Sequence, residues 1–364
     1  MRNQWTDLFK SYYSDRQQYV KLEHMNSVLR NAPYCSVVQG SKLSGLMFNL
    51  YCNEVPILHK LINTDIYHKL VSKSTINTKN IAHNIINFVD DSTNVISFRD
   101  HNKIKPYLEK YYDLLMRYYN INKMKINNDK NKLLIINKPK LDNVLKNFHF
   151  MAKDEIVRAQ FKIKILGTWI QNDMRMDADI NKLSSVLHNR INNIRKINKY
   201  TDFHSRLKFI NGFVMGKMNY MLPMYNKLPD YLHRKLHKIT MTAARAAIGN
   251  YCYRKSTNYI LDKCKWLHID KLIEFRCISY IHKVQYDKSP KSIVEVYREN
   301  RFQRHKSEIT INYVPKSTKY TRFFLYDHIG SYNRIPIEIK SKHPKLFKKY
   351  LKVWINQRHE DTMD

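Results

Sequence analysis

The sequence predicts an α+β chain: a small antiparallel sheet backed by helices over residues 1–177, a basic helical region over 178–250, and a mostly helical region over 251–364. Three observations carry this expectation. β-Favouring residues flank two adjacent acids in Ile85-Ile86-Asn87-Phe88-Val89-Asp90-Asp91-Ser92-Thr93-Asn94-Val95-Ile96, which reads as a strand, a tight turn carrying the acids, and a returning strand. After Asp177 the character changes, and Ile180, Leu183, Leu187, Ile191 and Ile194 recur at helical spacing as one apolar stripe. From Ile180 to Asn250, 13 Lys and Arg stand against 2 acids, and Lys182, Arg190, Arg195, Lys196 and Lys199 fall largely off that stripe.

In chain order, Trp5 to Tyr13 is a short helical pattern, Ser14 to Leu22 shifts toward strand formers, and Tyr34 to Val38 is a second candidate strand. Gln39-Gly40-Ser41-Lys42-Leu43-Ser44-Gly45 holds two of the chain's seven glycines. Glycine lets backbone approach a ligand closely, and Ser41 or Ser44 can cap the helix after it, so this loop presents amides suited to a nucleotide or is a capped structural turn. Lys105 to Tyr119 is a helix with Tyr107, Leu108, Tyr111, Leu114 and Leu115 as its apolar face. Lys123 to Ile136 is a turn and a buried strand, with Lys130 where the strand begins. Ile163 to Ile170 is a further hairpin with Gly167 near its bend. Beyond Tyr251 the pattern is helical to about Asp287, less regular to about Arg322, and helical again from His343 to Trp354.

A chain of 364 residues, 43% hydrophobic, buries enough apolar surface for two or three packed units. No apolar run of about 18 residues is present to span a bilayer, and Met1-Arg2-Asn3-Gln4-Trp5 lacks a signal-peptide core. The expectation is a soluble intracellular protein of nucleus or cytoplasm, neither secreted nor bound to membrane. Cys35, Cys52, Cys252, Cys264 and Cys277 are odd in number and scattered, which argues for reduced thiols. Cys264 and His268 stand i, i+4 near Cys252 but match no zinc spacing, so they read as packed side chains.

The formal charge of +33 makes nucleic acid the leading partner, since cationic surfaces bind phosphate backbones by releasing counterions. Lys outnumbers Arg 44 to 20 alongside many Asn, Ile and Tyr, all with AT-rich codons, so base composition is an alternative source for part of the charge. Two neighbouring carboxylates at a hairpin tip repel each other. A divalent cation resolves that repulsion, and Mg²⁺ is held by one or two carboxylates together with substrate phosphates; a solvated turn is the other reading of Asp90 and Asp91.

Taken in order, these pieces resemble the reverse transcriptase of non-LTR (LINE-type) retrotransposons, especially jockey-like elements. Gln39 to Gly45 with Phe48, Leu50 and Tyr51 is similar to the family's motif B, which lies against template and incoming nucleotide. Phe88-Val89-Asp90-Asp91 is similar to motif C, whose paired aspartates hold the catalytic metals, and Ile126-Asn127-Asn128-Asp129-Lys130 to motif D, whose lysine is a proposed proton donor to pyrophosphate. Leu166-Gly167 resembles motif E, the primer grip. Ser11 to Val20 resembles the segment before motif B, Lys217-Met218-Asn219-Tyr220 with Pro223 the thumb, and Lys265 to Ile269 the region after it. Tyr332-Asn333-Arg334-Ile335-Pro336 and Phe347 to Leu351 resemble the elements' C-terminal segment.

The resemblance implies a partial palm over 1–177, a thumb over 178–250 and the elements' C-terminal region over 251–364. It implies an RNA-directed DNA polymerase acting on an RNA template, a DNA primer and dNTPs with two Mg²⁺ ions, or Mn²⁺. Asp90 and Asp91 would be metal ligands, Lys130 the acid, Gln39, Gly40, Ser41 and Phe88 nucleotide and template contacts, and Leu166 and Gly167 the primer grip. It also implies an N-terminal truncation. The 38 residues before Gln39 align with the stretch that comes after the family's motif A, and Asp7 and Asp15 are poor substitutes for its aspartate. Fingers and endonuclease are likewise expected to be missing, unless a separate polypeptide supplies motif A and fingers. The chain alone is then expected to bind nucleic acid and polymerise poorly. The competing expectation is a decayed or domesticated remnant that only binds nucleic acid.

Overall fold

The computed structural model describes residues 2–32, 41–63, 81–136, 147–152, 155–249, 254–299, 308–311 and 323–358. The expected strand over Tyr34 to Val38 lies outside them. The fold is α+β, in two compact units, Met1–Ile163 and Lys164–Asp364.

The first unit opens with α1 (Arg2–Tyr13), then a pair of two-residue strands, β1 (Gln17–Gln18) and β2 (Arg30–Asn31), and α2 (Ser44–Tyr51). A 3₁₀ segment, Val55–Asn63, precedes the long hairpin of β3 (Ile81–Phe88) and β4 (Asp91–Phe98). The organising element is α3 (Ile104–Ile121), begun by a 3₁₀ turn in which the Asp100 carboxylate accepts from the Asn102 amide. Pro106 sits in its first turn, where the missing N–H costs nothing. All five expected apolar positions are buried, with Tyr112 and Tyr118 besides. One side of α3 packs Tyr107, Tyr111 and Leu114 with Val55, Leu58 and Ile62; another packs Leu108 and Tyr112 with Phe150 and Val157.

The sheet departs from the expectation of one small antiparallel array. β3 and β4 pair only with each other, while β5 (Leu133–Leu134), β6 (His149–Ala152) and β7 (Glu155–Gln160) make a separate mixed sheet of order β5-β7-β6. In it β6 and β7 run antiparallel, and β5 and β7 parallel. The strand expected after Lys130 is only two residues long and half-buried.

The division between the units falls inside β8 (Lys162–Ile165), which forms a hairpin with β9 (Thr168–Gln171) and is followed in the second unit by α4 (Asp177–Lys196). The division falls at 163/164, ahead of the expected 177/178, because this hairpin is bonded into the helices. The Trp169 amide donates to Asp179 Oδ1 at 2.9 Å and the Ala178 amide to Gln171 Oε1 at 2.6 Å. The other oxygen of buried Asp179 accepts the Tyr225 hydroxyl at 2.5 Å, and burial together with that carboxylate pushes the phenol's pKa up.

α5 (Phe203–Ile210), capped by Asp202, runs through a π-helical turn, Asn211–Met215, into α6 (Gly216–Asn219). Next come α7 (Asp230–Ile248), α8 (Thr257–Cys264) with Ser256 as its cap, and α9 (Ile269–Asp287). A short hairpin of β10 (Tyr297–Glu299) and β11 (Ile309–Ile311) and several helical turns lead to α10 (Pro344–Arg358). All five stripe residues of α4 are buried, in one core that extends from Ile180 to Ile355. No core boundary falls at 250/251: Leu236 and Ile239 of α7 share that core with Ile278 and Leu351. Cys52, Cys264 and Cys277 are buried thiols. No helix among the described residues is long and apolar enough to cross a membrane.

Candidate functional site

Strand alternation gives the β3–β4 hairpin two unlike faces. Ile81, His83 and Ile85 stand across from Phe98, Ile96 and Asn94 on the inner face. There His83 is held at 2.9 Å from both the Tyr107 hydroxyl and Asn94 Oδ1, and the Tyr111 hydroxyl donates to the same oxygen at 2.8 Å. This network satisfies the buried polar groups and pins the hairpin to α3 in one register. Burial raises the pKa of Tyr107 and Tyr111, so both hydroxyls stay protonated and available as donors. Beyond the Ile85–Asn94 rung every residue from Ile86 to Ser92 is exposed, so the tip stands about 10 Å clear of the core.

Phe88 pairs with Asp91, leaving a two-residue turn of Val89 and Asp90. The acids are therefore split, one in the turn and one on the first residue of β4. Asp91 shares the outward face with Phe88, Ile86 and Val95, all more than half exposed. Val89 has φ of 55° while Asp90 stays at negative φ, the pattern of a type II′ turn, whose first position belongs to glycine. A β-branched residue there is an outlier, and such strain costs about 1–3 kcal/mol and concentrates at functional sites. Replacing Val89 with Gly is expected to raise the thermal midpoint by about 2–4 °C, since relief of roughly 1 kcal/mol shifts a unit of this size that far. Scanning calorimetry checks it; a lowered midpoint means that no strain is held there.

The remaining expected site residues are more dispersed. Gln39 and Gly40 lie outside the described residues. Ser41 is half-buried, its Oγ accepting from the Leu43 amide at 3.3 Å and from the Tyr12 hydroxyl at 3.2 Å. It closes a local turn and does not cap α2, whose N-cap is Leu43 with no side-chain bond, and Ser44 is already helical. Lys130 is exposed at the end of a 3₁₀ turn, Asn128–Lys130, and no described hydrogen bond or ion pair joins it to Asp90 or Asp91. Leu166 and Gly167, at φ of 45° and 88°, form a type I′ turn between β8 and β9. The Tyr220 hydroxyl donates to the Leu166 carbonyl at 3.1 Å, and Lys217 Nζ lies 4.0 Å from where a Gly167 Cβ would stand. No protein-family model matches the sequence, and no curated protein does. The chemistry rests on these geometries.

Sequence reasoning missed two features of the basic region. None of its 13 cations is buried, yet Arg206 is not a free one. Its guanidinium donates to the carbonyls of Ala247 (2.8 Å), Ile248 (3.4 Å), Asn198 (3.2 Å) and Thr201, which ties the end of α7 to the start of α5. The second is an exposed aromatic pair, Phe209 and Phe213, stacked with centroids 6.4 Å apart beside Arg190, which donates to the Phe213 carbonyl.

Proposed function

We propose that the chain is part of an RNA-directed DNA polymerase of the non-LTR retrotransposon type, with Asp90 and Asp91 as its metal-binding carboxylates. The observation that supports this reading best is the turn itself: a strained Val89 beside two adjacent acids, on the exposed tip of a hairpin whose base a buried polar network pins to α3. Strain that packing does not need is explained by a requirement on where Asp90 and Asp91 point.

The donor set suits a hard cation. Two carboxylates on neighbouring backbone positions fit Mg²⁺ or Mn²⁺, which take their remaining ligands from water and substrate phosphates. In this reading Asp90 and Asp91 supply two of the ion's ligands. Held by Asp90 and Asp91, such an ion would supply Lewis-acid activation of a primer hydroxyl and charge neutralisation of the triphosphate. Asp90 and Asp91 would orient the phosphates at the tip, and Phe88, 60% exposed and paired with Asp91, gives sugar or base an apolar edge. Lys130 is the proton donor to pyrophosphate in this reading, and Ser41 belongs to the nucleotide and template contact. The type I′ tip of Leu166 and Gly167, with Tyr220 and Lys217, is the primer contact.

Primer extension on an RNA template tests this, comparing the parent with Asp90→Asn in a polypeptide that also carries the sequence encoded upstream. Extension lost in the variant supports the polymerase reading; extension equal in both defeats it. Nucleic-acid binding without chemistry is then the surviving reading, and the stacked Phe209–Phe213 pair among exposed cations favours it, since aromatic platforms beside positive charge hold unpaired bases.

A further inference from the structure

In the second unit a pocket of about 170 Å³ opens beside the π-helical turn. It is walled by Asn211 and Asn219 from that helical run, by Lys265 and Trp266 before α9, and by Phe275 and Arg276 of α9. Lys352 of α10 crosses over it, donating to the Lys265 carbonyl at 2.8 Å. Single π turns inside helices occur frequently at functional sites. Here the turn begins at Asn211, whose Oδ1 accepts the Trp266 indole N–H at 3.0 Å and so fixes that ring in the wall. Lys265 itself is held at φ of 56°, an uncommon conformation for a side-chain-bearing residue.

The lining has a distinct chemistry. Three cations and no carboxylate face the space, against two aromatic rings and an apolar floor that includes Leu267. Two of the lining residues each carry a buried polar atom without a hydrogen-bond partner, the Asn219 Oδ1 acceptor and the Arg276 Nε donor. A buried donor or acceptor left unpaired costs about 1–3 kcal/mol, a cost that a ligand group can remove. Desolvation holds the Arg276 guanidinium below its usual range, and an anion beside it would offset that burial.

We propose that this pocket binds a nucleotide. The base lies against Trp266 and Phe275, an amino or imino N–H of the base reaches Asn219 Oδ1, and the phosphate sits on Arg276 with Lys265 and Lys352 around it. The space suits a planar ring, because cavities of about 150 Å³ accept a six-membered one, and base–aromatic stacking tolerates any base. The phosphate accounts for the three cations. The same nucleotide chemistry is presented by free nucleoside monophosphates and by an unpaired nucleotide of a strand. The inference stands on the second unit's residues alone and is independent of Asp90 and Asp91.

Calorimetric titration of the full chain tests it, in EDTA so that metal-dependent binding elsewhere is silent. The probes are the four ribonucleoside 5′-monophosphates, a ribotrinucleotide and inorganic phosphate. Expected is saturable binding at least tenfold tighter than inorganic phosphate, weakened at least tenfold in Arg276→Gln and in Trp266→Leu. Binding of monophosphates assigns the site to free nucleotides, and binding of the trinucleotide alone assigns it to a strand. Should Arg276→Gln fail to fold, exposed Lys265→Gln is read in its place, with a loss of at least threefold expected. No saturable binding by any nucleotide probe, equal affinity for inorganic phosphate, or affinity unchanged in the folded variants overturns the proposal.

Discussion

Asp90→Asn is expected to lower templated primer extension by about a hundredfold or more while leaving the fold intact. The amide keeps the size and hydrogen-bonding reach of the side chain, and Asp90 is exposed at the turn, so the stability change should stay within about 0.5 kcal/mol. What it loses is charge at a position where a cation must be held. Metal-dependent steps are steep in geometry, with a displacement of about 1 Å costing on the order of a hundredfold. The assay uses Mg²⁺ and Mn²⁺ in parallel, with Asp91→Asn beside it. In the proposed scheme both variants fall together; a change confined to one would mean that the other acid is a solvated neighbour.

The second large effect concerns stability. Arg206→Ala is expected to destabilise the second unit by about 3–5 kcal/mol, because charge-assisted hydrogen bonds contribute about 1.5–3 kcal/mol each and are not additive. The guanidinium is shared among carbonyls at the end of α7 and in the turn that precedes α5, and its loss leaves the last turn of α7 with unsatisfied acceptors. Arg206→Lys should recover little, since a point charge cannot reach several carbonyls at once. Urea unfolding measures both. If Arg206 instead served only to hold phosphates, its variants would weaken nucleic-acid binding and leave the unfolding midpoint unchanged.

Much of the helical architecture was legible because burial imposes a period. Leu108 and Tyr111 in α3, and Ile180 and Leu187 in α4, sit where a 3.6-residue stripe puts them, and each is buried. The hairpin around Asp90 and Asp91 was legible for a related reason, with β-favouring residues on both sides of turn formers. The conformation of Val89 was not, since nothing in the residue's identity announces a positive φ that glycine would normally supply. Strands as short as β2 and β10, two and three residues long, carry no pattern to read. Charge counting grouped Arg206 with its solvated neighbours because two of its partner carbonyls, Ala247 and Ile248, lie 41 and 42 residues away. The role of Asp179 had no sequence signal, since its oxygens hold the Trp169 amide and the Tyr225 hydroxyl, 10 and 46 residues away. The pocket lined by Asn211, Trp266, Phe275 and Lys352 is assembled by tertiary packing alone.

Whether the paired acids hold a divalent cation is decided most directly by methyl NMR with Val-labelled protein, adding Mn²⁺ below stoichiometry in the presence of a dNTP. Val89 adjoins Asp90, so its methyl signals should broaden first and most, and the effect should vanish when Asp90 and Asp91 are both changed to Asn. If the Val89 methyls stay sharp while others broaden, or broaden equally in the double variant, the metal lies elsewhere and the nucleotidyl-transfer reading fails.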